Sequence, residues 1–527
     1  MLSICATVQD RGASRCARPR KAPAAGRVGP TDKTALDAIG ATGMPGASAP
    51  ADCSGACRSQ AWRLCNFCTC RSAWRGNREE LQEIARPDLR IRRIVLTVAT
   101  PDTVRLALRL RQRLQASTQI VVHVSGDSTE GFHAFGPLPD TLTEADLLIV
   151  SSEAEAAATR ACFPNAPVRV LPFPLVDRFR LANEFGAQQP ETHRLAYVGR
   201  VSEQKNLHTL LVSIWLLRRM SVLPPDVMLD IYGAGDNLGS PNMGLTFSDY
   251  ESYLHDLTDK LGLTGLVTWH GFKPRDWLFD HVHLQPHILV SPTLHSDENF
   301  GASVLASLVN GHRVVAAAWG GHFDFAPWFP DQLNLVPVHR STRGPVIDPV
   351  ALARALARAL PGGGSFRVDR AGLSRARAAF SEAGVAARTR AALSGIAAPP
   401  VPLKRSAVLH TIDRQRARFG GARRIYDGYD DPAAQVFFQA YGMAEPLDFD
   451  PTRRYFLPPW VRCSDQMLHI DDPHRGPQRL PCGSGQPPAC EVVLCPAMTR
   501  QALPRGLVET LAQQGYAFPL PDGFGAA

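Results

Sequence analysis

Asp297 and Glu298 stand at the close of Ser291-Pro-Thr-Leu-His-Ser-Asp-Glu298-Asn-Phe-Gly301, between a short apolar run and a helix-forming run that opens at Ala302. A strand that turns through a glycine into a helix leaves free backbone N–H groups, and the positive end of the helix dipole points the same way. That is a place for an anion. A second set of charges, Arg200 and Lys205 in Gly199-Arg-Val-Ser-Glu-Gln-Lys205-Asn, follows another apolar run, Leu195 to Val198. A guanidinium can grip a phosphate through two parallel hydrogen bonds, and an ammonium can hold it as a point charge. The two sets together imply a ligand carrying phosphate, held beside carboxylates. Either set alone is as well read as solvated charge at a helix start.

The elements that must position these residues follow from the spacing of the apolar runs. Leu195–Val198, Val227–Tyr232, Leu266–Trp269, His287–Val290 and Arg313–Ala317 read as strands, mostly apolar throughout, as in a parallel sheet covered on both faces. Helices are expected between them over 206–220, 247–261, 276–283 and 302–309, the last stopped by Gly311. Each strand end carries glycine or charge: Gly199-Arg200, Gly233-x-Gly235, His270-Gly271-Phe272, Asp297 to Gly301, and Trp319-Gly-Gly-His-Phe-Asp324. A lone Gly-x-Gly is weak evidence. Five such ends in succession predict one rim at the carboxyl edge of a sheet, where ligands bind in open α/β folds.

A smaller alternating unit precedes this one. Strands are expected at Ile94–Val98, Gln119–Val124, Ala145–Val150 and Val168–Leu171, with helices over 103–114 and 153–162. The division is therefore 1–85, a basic arm; 86–182, a shortened Rossmann-like unit; 190–396, the larger Rossmann-like unit; and 400–527, an extension of unassigned role. The arm is rich in Ala, Gly, Pro, Arg and Ser with no sustained period, which predicts disorder. Two Ala/Arg-rich helices, Val350–Leu360 and Leu373–Leu393, are expected to close the larger unit, and the extension to be a small α/β or irregular appendage.

In order and at workable spacing, Gly199-Arg200-x4-Lys205, Gly233-x-Gly235, Gly271-Phe272, Ser291-Pro292 with Glu298-x-Phe300-Gly301, and Gly311-x-x-Val-Val with Gly320-Gly321 resemble a known pattern. It is that of the nucleotide-sugar-binding half of GT-B glycosyltransferases of family 4, a retaining group. The resemblance covers 190–395 well and 90–182 weakly. It implies an α/β fold in which two Rossmann-like domains face a cleft. It implies transfer of a sugar from a nucleotide-diphosphate-sugar, a UDP-sugar or GDP-sugar, to a saccharide or lipid acceptor, with no metal and no other cofactor. Arg200 and Lys205 would bind the donor diphosphate, and Glu298 the transferred sugar. Gly199, Gly235, Gly271, Asp297, Asn299, Phe300, Gly301 and Ala302 would line the donor site, with helix N–H groups on the phosphates. The family's second glutamate, which binds the nucleotide ribose, is Ala306 here. That departure keeps open a degenerate GT-B domain serving as a binding or scaffold protein. The glycine-rich loop after the first strand of the family is missing, and the imidazole near the donor would be His133, with His123 as the other candidate.

At 527 residues, 45% apolar and 20% charged, the chain has the makings of a globular protein with two or three domains. Residues 1–80 hold 12 Lys/Arg against 6 Asp/Glu, so about +6 of the net +8 lies in the arm. The near-neutral remainder argues against a nucleic-acid-binding body. Only a basic arm is left for that role. No apolar run reaches the roughly 20 residues of a spanning helix, and none of signal-peptide type follows Met1. A cytoplasmic protein is expected, with peripheral contact at the inner membrane face allowed. Cys65-x-x-Cys68, within the cluster Cys53 to Cys70, lacks a second pair at zinc-site spacing, and Cys463, Cys482, Cys490 and Cys495 with His469 are looser still.

Overall fold

The computed structural model describes residues 2–8, 62–67, 91–96, 101–114, 118–124, 142–174, 193–220, 222–235, 249–294, 298–362, 368–394, 400–410, 438–472, 476–482 and 488–522. The chain divides into two compact units, 1–97 with 105–121, and 98–104 with 122–527.

In the first unit β1 (Leu2–Val8) pairs antiparallel with both β2 (Trp62–Phe67) and β3 (Ile91–Leu96). Strands β1 and β2 both lie within the stretch expected to be an arm without structure. Ile4, Ala6 and Val8 alternate with polar neighbours over a run short enough to escape a search for longer periods. Helix α1 (Pro101–Leu114) buries Val104, Leu106, Ala107 and Leu110, and β4 (Gln119–His123) follows.

The second unit continues with β5 (Leu147–Val150), α2 (Glu153–Cys162) and β6 (Val168–Val170), the two strands parallel. The start of α2 is closely tied. Ser152 Oγ accepts from Glu155 N, and the buried Glu155 carboxylate reaches back to Ser151 N at 3.3 Å, a variant of the capping box.

The larger sheet is built from β7 (Arg194–Val198), α3 (Leu207–Arg219), β8 (Met228–Tyr232), α4 (Tyr250–Lys260), β9 (Val267–Gly271), β10 (Ile288–Ser291), α5 (Ala302–Val309), β11 (Arg313–Ala317) and β12 (Leu333–Val336). Its strand order is β12-β11-β10-β7-β8-β9, all parallel. The order reverses between β7 and β10, so the loops that leave these two strands run to opposite faces of the sheet. Pairing between them is confined to Ile288 with Leu195 and Leu289 with Ala196, and the strands part before their carboxyl ends. The crevice expected at a switch point opens there. Leu289, Val304, Leu305, Leu308, Val314 and Phe325 form the core beneath it.

Beyond β13 (Val338–Ser341) and β14 (Gly344–Ile347) come α6 (Pro349–Ala359), α7 (Arg370–Phe380) and α8 (Glu382–Leu393). The single helix expected over 373–393 is two. Ser381 is extended, at φ −63° and ψ 159°, and its Oγ caps α8 at Gly384 N.

The extension carries β15 (Met443–Ala444), β16 (Tyr455–Leu457), β17 (Val461–Ser464), β18 (Met467–Asp472), β19 (Gly476–Pro481), β20 (Ala489–Leu494), β21 (Thr499–Pro504), α9 (Arg505–Gln513) and β22 (Phe518–Pro519). These form sheets of order β21-β20-β16-β22 and β17-β18-β19, while β15 lies parallel to β13. The extension closes over the back of the larger sheet's helices. Trp215 of α3 meets Phe456, His208 meets Trp460, and Arg343 lies 4.0 Å over the Tyr516 ring while donating to the carbonyls of Gln514 and Gly515. This contact explains why α3 is apolar on nearly every side, with Leu207 through Leu217 all buried. Among the described residues no helix is long and apolar enough to cross a membrane.

Candidate active site

Each cation of the first motif is set by the turn that leaves β7. Gly199 N donates to Tyr232 O at 3.0 Å and Val201 N to Ala234 O at 2.8 Å, so the strand's path continues past its formal end. The buried Tyr197 hydroxyl donates to Arg200 O at 2.6 Å, fixing the backbone there while the Arg200 side chain stays exposed. A 3-10 turn over Glu203–Lys205 follows, and Asn206 takes a left-handed conformation, φ 58°. Its Oδ1 accepts from Thr209 Oγ1 at 2.7 Å, a local bond of the kind that lets asparagine hold this backbone. The chain is thereby turned so that Lys205 points back across the crevice.

There it meets Glu298. Lys205 Nζ lies 2.5 Å from Glu298 Oε2, with only 15% and 13% of the two side chains exposed. Leu294 N donates to Gln204 O at 2.9 Å, which ties the loop after β10 to the turn after β7. Gly301, at φ +82°, swings the chain into α5, whose first N–H groups have no side-chain cap. An ammonium, a carboxylate and an uncapped helix start therefore share one hollow over the switch point.

The loop after β11 braces this arrangement. Gly321 N donates to Glu298 O at 2.8 Å. A Cβ at Gly320, which sits at φ +59°, would lie 2.1 Å from Glu298 O, and one at Gly321 would lie 2.6 Å from both Asn299 O and Phe300 Cα. Only glycine allows this approach. Behind it, Gly320 N donates to Tyr441 O at 2.9 Å, and Tyr441 packs on Trp319. Gly442, at φ +100°, would place a Cβ 2.2 Å from the Phe323 ring. The extension thus backs the loop that backs Glu298.

Two histidines lie close by. His322 is buried, and its Nδ1 donates to Ala317 O at 2.9 Å, which leaves Nε2 as an unpartnered acceptor beside Gly301. Burial pulls its pKa below the ordinary value, with Glu298 acting upward and Lys205 downward more weakly. His322 was missed in the sequence, where only the Gly-Gly before it drew notice. His123, at the end of β4, also has a buried Nε2 without a partner, and burial lowers its pKa. Its ring is 5.6 Å from Phe173, which is 5.3 Å from Phe300, so an aromatic chain links it to the Glu298 loop. His133 lies outside the described residues.

The structure brings Gly199, Arg200, Lys205, Glu298, Asn299, Phe300, Gly301 and Ala302 to the ends of β7 and β10. Gly235 and Gly271 stand further along the same edge, after β8 and at the end of β9. The Gly235 N–H is taken by Glu251 Oε2 at 3.1 Å, and a Cβ at Gly235 would sit 2.8 Å from that oxygen, a contact the flexible Glu251 side chain can relieve by turning away. Gly271, at φ +64°, has open space around it, next to Phe272, which is 64% exposed. Asp297 lies outside the described residues. Ala306 is 2% exposed, inside α5. Asp324, at the end of the same bracing loop, accepts from Glu153 N at 2.9 Å, and burial pushes its pKa up to about 6. Among the described residues no group of three or more His, Cys, Asp or Glu is placed to hold a metal ion.

Residues 182–326 match the family model described as Glycosyl transferases group 1. No curated protein matches the chain. Among solved structures, the chain is similar to sucrose-phosphate synthase (tll1590) from Thermosynechococcus elongatus, at 22% identity over 55% of this chain and 71% of that one, TM-score 0.42. It is similar also to Anabaena Alr3699/HepE, crystallised with UDP, at 15% identity over 60% and 81%, TM-score 0.44. A third is the lipopolysaccharide outer core galactosyltransferase WaaB, at 17% identity over 60% and 78%, TM-score 0.41.

Proposed function

Taking residues 182–326 as a glycosyl transferases group 1 region, we propose that the protein is a retaining glycosyltransferase that moves a sugar from a UDP-sugar or GDP-sugar to a saccharide or lipid acceptor. The observation that carries this reading is the 2.5 Å contact of Lys205 with Glu298 at the switch point, beside the uncapped start of α5. The donor's diphosphate lies against Arg200, Lys205 and the N–H groups of α5, and Glu298 turns to the sugar hydroxyls. As the C1–O bond breaks, negative charge grows on the departing diphosphate, where in this reading Arg200, Lys205 and the helix end meet it. The acceptor oxygen bonds C1 from the same face, and its proton leaves with the diphosphate. Glu298 orients the sugar and is not an acid in this scheme. Either His133 or His123 supplies the imidazole on the acceptor side. Burial lowers the pKa of His123 and so favours its neutral form, and the separate variants His123→Ala and His133→Ala identify which slows transfer.

The same cations do the work that a divalent metal does in other transferases, so chelation with EDTA leaves turnover unchanged in this reading. Assaying a panel of UDP- and GDP-sugars for nucleotide release, with the anomeric configuration of the product read by NMR, tests the proposal. Release of no nucleotide from any donor, or an inverted product, overturns it.

Ala306 motivates a second reading. A buried methyl where the family has a ribose-binding carboxylate forgoes a charged hydrogen bond, about 1.5–3 kcal/mol. A degenerate domain would bind UDP or GDP in calorimetry and turn over neither. Contact with a membrane surface belongs to the same proposal only if the acceptor is a lipid, and sedimentation with anionic vesicles tests it.

A further inference from the structure

The hairpin of β17 and β18 turns through Asp465 and Gln466, both at positive φ (49° and 60°), as in the tight two-residue turns that suit twisted strands. Strand β19 runs antiparallel along the other side of β18, and Cys482, just past its end, donates its N–H to Gln466 O at 2.8 Å. Cys463 on β17 and Cys482 thus converge at the hairpin's tip, with their Sγ atoms 3.3 Å apart.

The two sulfurs are not equivalent. Cys482 is buried, and burial together with the neighbouring Cys463 pushes its thiol up to about 11. Cys463 is half-buried and its Sγ also accepts from Gln501 Nε2, on β21, at 3.2 Å. A sulfur that receives an amide N–H and its partner's S–H is the better placed of the two to carry negative charge. The other cysteines of the extension are set apart from this pair. Cys490 Sγ faces Pro451 O, and Cys495 is buried with its thiol pushed well above the usual range.

We propose that Cys463 and Cys482 form a reversible dithiol–disulfide site whose oxidant is a hydroperoxide, with Cys463 attacking and Cys482 resolving. The Cys463 thiolate attacks one peroxide oxygen. The O–O bond breaks, a sulfenic acid forms on Cys463, and the other oxygen leaves, protonated, as water or an alcohol. The Cys482 sulfur then attacks the Cys463 sulfur, the S–O bond breaks, and that oxygen leaves as water with the Cys482 proton. Two thiols have lost two electrons, and the peroxide has taken them. The sulfurs need to close by about an ångström to reach the roughly 2.05 Å of a disulfide. The bond staples β17 to β19 across the tip of the hairpin, and a small dithiol reductant reverses it.

The full chain, with all its cysteines in place, is treated with hydrogen peroxide, denatured, alkylated and digested without reductant for mass spectrometry. The expected product is a peptide pair joining Cys463 to Cys482, lighter by two hydrogens and lost on treatment with dithiothreitol. Cys482→Ser leaves a sulfenic acid on Cys463 that dimedone traps. Gln501→Leu slows linkage several-fold with an unchanged circular dichroism spectrum. Recovery of both cysteines alkylated, linkage of either to another cysteine, or dimedone labelling of Cys482 in Cys463→Ser as fast as of Cys463 in Cys482→Ser overturns the assignment.

Discussion

Lys205 and Glu298 are each other's neutralising partner in a hollow where little water reaches either. Removing one leaves the other charged and poorly solvated, a loss of about 3 kcal/mol or more when burial is complete and less here. Lys205→Met should therefore lower the urea midpoint, and a double variant with Glu298→Gln should recover part of that loss, because no lone charge remains. Turnover answers a different question. In the proposed reaction Lys205 meets charge that develops as the diphosphate leaves, so the single and the double variant should both lose on the order of 10²-fold or more in kcat. Enzyme assays beside denaturation curves check this, and a double variant with wild-type kcat would remove the diphosphate role. Gly320 makes the same separation from the backbone side. Gly320→Ala forces Glu298 O away from 2.1 Å, so donor KM should rise even in a variant that remains folded.

At the scale of elements, the sequence was most informative where chemistry and periodicity agree. Mostly apolar runs marked all five strands that lead into the rim, and β11 was located to the residue. Glycine and charge at their ends then predicted one rim, because a parallel sheet brings those ends to one edge; which pair of strands flanks the switch point came only from the strand order. The family match over 182–326 covers that same region. The bracing contacts were not legible. Tyr441 lies 121 positions beyond Gly320, and their bond is between backbone groups, so no side-chain type announces it. The split at Ser381 was hidden because alanine and arginine favour helix on both sides of it. The orphaned Nε2 of His322 depends on which carbonyl its Nδ1 finds. Segment 438–444 of the extension nevertheless has a measurable role. Gly442→Ala drives a methyl into Phe323 and Ala318 O, displacing the loop that holds Glu298. The expected result is a several-fold rise in donor KM with helix and sheet content retained, measured by steady-state kinetics and circular dichroism. An unchanged KM would leave the extension with a purely structural part.

For the molecule as a whole, acid is the revealing perturbation, because burial has pushed two classes of group in opposite directions. His283, His287 and His312 are packed together around Ser307, which His283 Nδ1 and His287 Nε2 approach at 3.2 and 2.9 Å. Burial holds them neutral: His283 falls to about 3 and His312 to about 4, and His287 is well below the ordinary value. Their folded pKa values lie below the unfolded value of about 6.5. The stability they contribute is therefore present above pH ~6.5 and lost as pH falls toward their folded values. Asp324 and Asp348 have the opposite sign, since burial raises them to about 6 and about 7. Their contribution is present below an unfolded pKa of about 4 and lost as pH rises through 6 to 7. Between pH ~4 and 6 the unfolded chain takes up three protons on these imidazoles and the folded chain two on these carboxyls, a difference of one. His123, His322 and His339 are also lowered by burial and add to the imidazole side. Unfolding free energy should then fall with acid, by on the order of 1 kcal/mol per pH unit for each proton of that difference, in this window. Urea melts from pH 4.5 to 7.5 measure it. His312→Gln should flatten the dependence by close to one proton, and Asp348→Asn, which keeps an acceptor for Val350 N, should steepen it. A protein equally stable at pH 4.5 and 7.5 would mean that the imidazoles are reached by water, and the packing around Ser307 would have to be looser than the structure has it.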